Sequence, residues 1–146
     1  MIKVRKMTVD DVDRVFEIET QSFQSPWSRE SIMKEIVENT IAAYFVVTIF
    51  GEVVGYGGAW LIMDEMHITN VAIAPEHRGK GYSIYLIKSL VGFGQERGFK
   101  HMTLEVRVSN HVAISLYEKA GFVAVGKRPK YYVDSGEDAL VMWKEL

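Results

Sequence analysis

The sequence has no cysteine, no long hydrophobic run and no strong excess of one charge, and these absences exclude several classes of protein. Without cysteine there is no disulfide framework, no thiolate zinc site and no covalent cysteine intermediate. The longest apolar run, residues 41–50, is much shorter than the ~20 residues of a membrane helix. The first residues also lack the apolar core of a signal peptide. We therefore expect a soluble, cytoplasmic protein with no membrane contact.

The charge balance and the length narrow the possibilities further. The formal net charge of the 146 residues is −2, which argues against general nucleic-acid binding, because such binding needs a basic surface. The 4 histidines share no metal-ligand spacing, so no metal site is expected. With 48% hydrophobic and 25% charged residues, the chain has the composition of one globular domain over residues 1–146. We expect a monomer or a weak oligomer.

A strand, a basic glycine-rich turn and a helix follow one another between residues 71 and 91. The β-rich run 71–74 breaks at Pro75, and apolar residues recur at helical spacing beyond the turn. A helix N-terminus offers free backbone amides and a partial positive charge, and glycines allow a ligand to approach the main chain closely. Arg78 and Lys80 add formal positive charge. This stretch predicts a site for a phosphate-bearing ligand.

Neither common nucleotide motif fits this turn. A Walker loop needs a Gly-Lys pair followed by Ser or Thr, and a dinucleotide fingerprint needs a third glycine where Ile84 stands. The remaining pattern, R-x-x-G-x-S from Arg78 to Ser83, resembles the Q/R-x-x-G-x-G/A pyrophosphate loop of the GNAT superfamily of N-acetyltransferases, which binds acetyl-coenzyme A. Ser83 departs from the usual Gly or Ala, but a small hydroxyl suits the first helical turn.

Strand and helix patterns alternate along the whole chain. They predict a mixed α/β sheet with a central βαβ unit. Predicted helices begin after Thr8, Ser28 and Asn110 and at the basic turn, and a loop is predicted to begin at residues 128–132. The predicted strands are 2–7, 42–50, 53–63, 66–74, 100–108, 122–127 and 138–144.

A second motif lies in the predicted strand 100–108 and the helix after it. Residues 104–110 read L-E-V-R-V-S-N, Ala113 follows, and residues 116–122 read L-Y-E-K-A-G-F. This order resembles the signature of the bacterial ribosomal-protein alanine N-acetyltransferases (the RimI type). The segments 25–28 and 131–139 agree with the same type, so the resemblance covers nearly the whole chain. It implies the GNAT fold, a mixed six- to seven-stranded central sheet flanked by about four helices.

The resemblance also implies roles for individual residues. Glu105 resembles the general base, acting through water, and Tyr117 the general acid that protonates the departing thiolate of coenzyme A. We expect burial to raise the pKa of Glu105 above its usual ~4.3, and the Tyr117 phenol, with a pKa of ~10, to stay protonated. An amide near Val71 would receive the developing oxyanion. The implied acetyl-CoA-binding residues are Val71, Ala72, Ile73, Arg78, Gly79, Lys80, Gly81, Tyr82, Ser83, Ile84 and Asn110.

The reaction implied is acetyl-CoA-dependent acetylation of the N-terminal alanine of a small-subunit ribosomal protein, by direct attack of the amine in a ternary complex. Tyr132 and Glu65 are the expected substrate-side residues, and an acidic cleft of Asp64, Glu65 and Glu105 would suit a basic protein tail. Two alternatives stay open: acetylation of a small-molecule amine or a lysine side chain, and a non-catalytic acyl-CoA-binding module. On pattern alone, Glu105 is more often a solvated residue, and Tyr117 and His67 are more often structural.

Overall fold

The computed structural model describes residues 1–146 and contains a seven-stranded sheet with four α-helices, which confirms the predicted fold class. The strands are β1 Ile2–Lys6, β2 Ala42–Ile49, β3 Glu52–Ile62, β4 Glu65–Ile73, β5 His101–Arg107, β6 Val123–Tyr132 and β7 Glu137–Glu145. The helices are α1 Val12–Ser22, α2 Arg29–Val37, α3 Tyr82–Glu96 and α4 His111–Lys119. No helix is long and apolar enough to cross a membrane.

The sheet has the order β1-β2-β3-β4-β5-β7-β6, and only β4 and β5 run parallel. A parallel pair needs a crossover connection, and α3 supplies it, so the predicted βαβ unit is present. The pairing of β4 with β5 extends only from Glu65↔His101 to His67↔Thr103. Beyond these residues the two strands separate. The sheet is therefore open between the C-terminal halves of its two central strands.

Local capping signals position the helices as the sequence predicts. The Ser28 side chain accepts a hydrogen bond from the amide of Ser31 at 3.1 Å, and the Asn110 side chain accepts one from Ala113 at 3.1 Å. Asn110 thereby fixes the start of α4 directly after β5. The structure confirms both predicted caps.

The predicted loop at residues 128–132 is wrong, because β6 continues to Tyr132. Pro129 suggested a loop, since proline cannot donate a hydrogen bond within a sheet. β6 is an edge strand, however, so one side of its backbone has no neighbouring strand and can accommodate proline. The register shifts between Arg128 and Tyr132 accommodate the irregularity. Tyr131 and Tyr132 consequently lie on the sheet and not in a free loop.

The two larger of three hydrophobic clusters cover the two faces of the sheet. One packs α1 and α2 against β2 and β3 through residues that include Val12, Val15, Ile18, Ile32 and Tyr56. The other packs α3 and α4 against β4, β5 and β7 through Ile87, Leu90, Met102, Tyr117 and Met142. The opening between β4 and β5 is thus held between two packed layers.

Candidate active site

A cavity of about 600 Å³ lies where β4 and β5 separate. Its walls are residues 68–71 of β4, residues 104–107 of β5, the start of α4, the α1–α2 loop and the β6–β7 turn. Among the lining side chains are three carboxylates and one guanidinium: Glu19, Glu105, Asp134 and Arg107. The wall of the cavity therefore carries more acidic than basic side chains.

The backbone of β4 presents polar groups to this opening. Ala74 N donates to Val54 O at 2.8 Å, and hydrogen-bonded pairs alternate along antiparallel strands. Ala72 and Asn70 therefore direct their amides toward β3, and Val71 and Ile73 direct theirs toward the side that β5 has left. Of the three β4 residues predicted to bind acetyl-CoA, Val71 has both backbone groups free on this side, and Ile73 has only its amide free, because its carbonyl accepts a hydrogen bond from Arg78. Ala72 has neither.

The basic turn forms an open cradle at the N-terminus of α3. Gly79 and Gly81 have φ angles of 76° and 79°, in the left-handed region that favours glycine. A Cβ atom at either position would meet nothing within 4 Å, so the space above the turn is free. None of the loop and cap hydrogen bonds uses a backbone amide between Gly79 and Ile84. These amides, which include those of Tyr82 and Ser83 in the first helical turn, are therefore free to bind an anion.

Arg78, also predicted to bind the ligand, is already engaged with the protein. Its Nε donates to Ile73 O at 2.9 Å, and its NH2 donates to Ser22 Oγ at 3.0 Å. Arg78 thus ties the turn to β4 and α1. Lys80 lies exposed in the same turn and has no such partner.

Glu105 lies on β5 with its side chain only 8% exposed. Its Oε1 accepts hydrogen bonds from His67 Nε2 at 2.7 Å and from the Tyr131 hydroxyl at 3.2 Å. The His67 hydrogen bond lowers the pKa of Glu105 by more than burial raises it, and Tyr131 and Arg128 also lower it. The expected upward shift is therefore wrong. The sequence showed that Glu105 would be partly buried but not that a histidine would face it.

Tyr117 lies on α4 in the wall of the same cavity, so the structure brings it together with Glu105. Its side chain is buried, and its ring packs edge-on against Phe122 with the centroids 5.6 Å apart. Burial raises the pKa of the Tyr117 phenol. The hydroxyl therefore stays protonated at neutral pH, as a proton donor must. Asn110, which caps α4, also lines the cavity.

The β6–β7 turn and the α1–α2 loop meet above the cavity through Asp134. Arg107 donates to both Asp134 oxygens, at 3.0 and 2.7 Å, and Ser25 Oγ donates to Asp134 Oδ2 at 3.0 Å. The Arg107 guanidinium also lies 4.1 Å from the centroid of the Tyr132 ring. Burial raises the pKa of Tyr132 to about 12. One arginine therefore positions both the predicted substrate-side tyrosine and the link between the two loops.

Glu65, the other predicted substrate-side residue, is not part of the cavity wall. It lies at the start of β4 and pairs with His101 Nε2 at 3.2 Å. Asp64 precedes β4 and is outside the cavity as well. The cavity is acidic, but Glu19 and Asp134 supply the carboxylates that Asp64 and Glu65 were expected to supply. The structure brings no group of three histidine or acidic side chains into a metal-binding arrangement.

The sequence did not predict Glu19 at the site, and it favoured a structural role for His67 over a place in the cleft. Glu19 is 1% exposed and accepts hydrogen bonds from Trp27 N, Asn70 Nδ2 and the Tyr56 hydroxyl. Its signal was its place on the buried stripe of α1, where helical spacing calls for an apolar residue. The sequence evidence for a place of His67 at the site was weaker. It consisted only of the two-residue period of a strand, which puts His67 on the same face as residues just before the basic turn.

The comparisons with known proteins agree with this geometry. The model of the acetyltransferase (GNAT) family matches residues 12–122. A candidate ribosomal protein bS18-alanine N-acetyltransferase of Bacillus subtilis (strain 168) is 47% identical over 140 residues, covering 96% of this chain and 93% of that protein. The crystal structure of the ribosomal-protein-S18-alanine N-acetyltransferase from Escherichia coli matches with a TM-score of 0.90 at 28% identity, covering 99% of this chain and 94% of that one. The fold also matches Arabidopsis thaliana NAA60 in complex with acetyl-CoA, with a TM-score of 0.91, 16% identity, and coverage of 100% and 99%.

Proposed function

The chain belongs to the acetyltransferase (GNAT) family, and we propose that it transfers the acetyl group of acetyl-CoA to the N-terminal alanine of a small-subunit ribosomal protein. The observation that carries this proposal is the 47% identity to the Bacillus protein over nearly the full length of both chains. The cavity between β4 and β5 supports it, because a carboxylate and a protonated phenol line the same space.

The residues around the cavity fit acetyl-CoA, which supplies the acetyl group as a thioester open to attack by an amine. The free amides of residues 79–84 would hold the pyrophosphate, assisted by the charge of Lys80. The Val71 carbonyl and the Ile73 amide would bind the pantetheine arm as an added strand does. The Val71 amide also faces the opening in which negative charge develops on the carbonyl oxygen, and we assign it that stabilising role.

Glu105 and Tyr117 would move the two protons of the reaction. The amine of the substrate must lose a proton, and Glu105 would take it directly or through a water molecule. Tyr117 would donate its proton to the leaving thiolate. At neutral pH an α-amine, with a pKa of ~7.7–8.0, is more often uncharged than a lysine amine of ~10.4, so its deprotonation requires less from the base.

The peptide would enter between the α1–α2 loop and the β6–β7 turn, beside Tyr132. Three carboxylates in the cavity suit the basic N-terminal region expected of a ribosomal protein. Glu65 lies outside this cavity and would contact only a more distant part of the substrate. We propose that residues 1–146 act as one catalytic domain in the cytoplasm, as a monomer or weak oligomer, without binding nucleic acid or membrane.

The experiment that tests the function measures thiol release from acetyl-CoA with three peptides. The first copies the N-terminus of the ribosomal protein, the second has its α-amine blocked, and the third offers only a lysine amine. Turnover with the first peptide alone is the expected result. Turnover with the lysine peptide, or with none of the three, would overturn the proposal in favour of a different acceptor or of a binding module.

A further inference from the structure

His67 and Glu105 face each other at the point where the central strands separate. His67 is the last β4 residue that pairs with β5, and Glu105 lies two residues beyond its partner Thr103. The His67 side chain is 27% exposed, and that of Glu105 is 8% exposed. The imidazole therefore lies between the buried carboxylate and the surface. This contact joins two residues that are far apart in the sequence.

Packing against a neighbouring aromatic side chain also holds the imidazole of His67 in place. Its ring meets Trp60 edge-on, with the centroids 6.4 Å apart and the planes at 86°. Trp60 Nε1 donates to Glu35 Oε1 at 2.6 Å, and that oxygen also accepts from the Tyr44 hydroxyl at 2.9 Å. The indole is thus fixed between β3 and α2. The orientation of His67 toward Glu105 is set by packing as well as by the hydrogen bond.

The two carboxylate oxygens of Glu105 differ in their hydrogen-bond partners. Both hydrogen-bond donors, His67 Nε2 and the Tyr131 hydroxyl, bind Oε1. The Oε2 atom has Arg128 Nε at 3.9 Å, which is too long for a hydrogen bond. Oε2 is therefore the oxygen that remains able to accept a proton.

We propose that His67 is a positioning residue for the acetyl transfer, which keeps Glu105 ionised and fixed through Oε1 so that Oε2 receives the amine proton. This inference rests on the proposed function and adds a residue that acts through Glu105. His67 is not among the residues that line the cavity. Its hydrogen bond selects one rotamer of the carboxylate, and it offsets the cost of burying the negative charge.

The surroundings of the pair predict what removing His67 would do. The titratable groups that face it are Arg128 and Tyr131 from β6, with Glu35 and Tyr44 behind Trp60. The His67 hydrogen bond is the largest cause of the lowered pKa of Glu105, and burial is the largest opposing cause. Without the imidazole, burial prevails and the pKa of Glu105 rises. The ionised base is then lost at a higher pH.

Three variants test this inference. His67→Phe removes the hydrogen bond, and His67→Gln keeps an N–H donor of similar reach without the possibility of a charge. The control is His101→Phe, which removes the other pair between a histidine and a carboxylate on these strands, His101 with Glu65, outside the cavity. The pH dependence of kcat/KM is measured with the N-terminal peptide. The carboxyl carbon of Glu105, identified by its loss in Glu105→Gln, is titrated by NMR without substrate.

In His67→Phe we expect the Glu105 titration and the acid limb of the profile to move up by about one pH unit. The kcat value at neutral pH should fall about tenfold because the imidazole no longer holds the carboxylate in one rotamer, and this fall is smaller than for loss of the base itself. His67→Gln should recover most of the kcat value, and His101→Phe should match the wild type.

An unchanged Glu105 titration in both His67 variants would overturn the inference, even if activity fell, because a purely structural role would leave that titration in place. A wild-type protein that acetylates none of the peptides would instead overturn the proposed function. The titration needs no substrate and therefore still decides whether His67 controls Glu105.

Discussion

The carboxylate of Glu19 and the side-chain amide of Asn70 are joined by a 3.1 Å hydrogen bond between α1 and β4, beside the cavity. Glu19 also accepts the amide of Trp27 in the α1–α2 loop at 2.9 Å. One buried carboxylate thus connects the α1–α2 loop to β4. The Asn70 amide nitrogen is committed to Glu19, and its Oδ1 is buried without a protein partner.

Replacing Glu19 by alanine should destabilise the protein more than replacing an exposed glutamate. Glu19→Ala leaves the buried donors of Trp27, Asn70 and Tyr56 unpaired, so we expect a loss of about 3 kcal/mol in the free energy of unfolding. The measurement is urea denaturation. The control, Glu30→Ala, removes a glutamate paired with Lys34 at an exposed site and should change stability very little.

Glu19 also predicts a pH dependence of stability, because burial raises its pKa in the folded state. The folded protein then binds the proton more tightly than the unfolded chain. The resulting stabilisation is present below the unfolded pKa and is lost as the pH rises through the folded pKa. Denaturation of wild type and Glu19→Gln from pH 4 to pH 8 should therefore show the wild type losing stability relative to the variant. A constant difference across this range would contradict the raised pKa.

Replacing Glu105 by glutamine should remove catalysis and preserve cofactor binding. The amide keeps the shape of the side chain but cannot accept a proton, so kcat should fall by about 10²–10⁴-fold. Calorimetric titration with coenzyme A should give an unchanged Kd. Glu52→Gln, at the exposed first residue of β3, is the matched control. A fully active Glu105→Gln enzyme would exclude Glu105 as the base.

Replacing Asp134 by asparagine should weaken peptide binding. The Arg107 guanidinium lowers the pKa of Asp134 to about 2, so the pair stays charged throughout the working range of pH. An amide cannot accept from both guanidinium nitrogens, and the link to Ser25 depends on the same side chain. We expect KM to rise several-fold for the peptide and to stay constant for acetyl-CoA. Asp10→Asn, at an exposed site, should change neither, and equal effects on both substrates would contradict the assignment.

Replacing Gly81 by alanine should raise KM for acetyl-CoA. The space around Gly81 is open, so the effect comes from its φ of 79°, which costs an L-residue about 1–2 kcal/mol and displaces the free amides. Gly92→Ala on the same helix is the control, because that position is equally open but has no positive φ. It should leave KM unchanged and stabilise the protein by about 0.5–1 kcal/mol. Equal KM values for the two variants would show that the turn does not bind the cofactor.

The sequence by itself determined the features that depend only on residues close together along the chain. Ser28 and Asn110 cap their helices because a short polar side chain can reach an amide three residues ahead. The glycines of the basic turn permit the left-handed backbone that opens the helix N-terminus. The alternation in 101–107 placed Glu105 on one face of a strand, and the helix period placed Tyr117 on the inner face of α4. These periodicities act over a few residues and can be read without the fold.

Only the tertiary structure decided what those residues meet. The pKa of Glu105 falls because the parallel pairing of β4 and β5, made through the α3 crossover, brings His67 within 2.7 Å. Glu65 lies outside the cavity because the strands separate only after His67. β6 continues through Pro129 because the edge of the sheet tolerates a missing donor. Electrostatics and strand pairing depend on partners distant in sequence, and periodicity carries no information about which partner will be near.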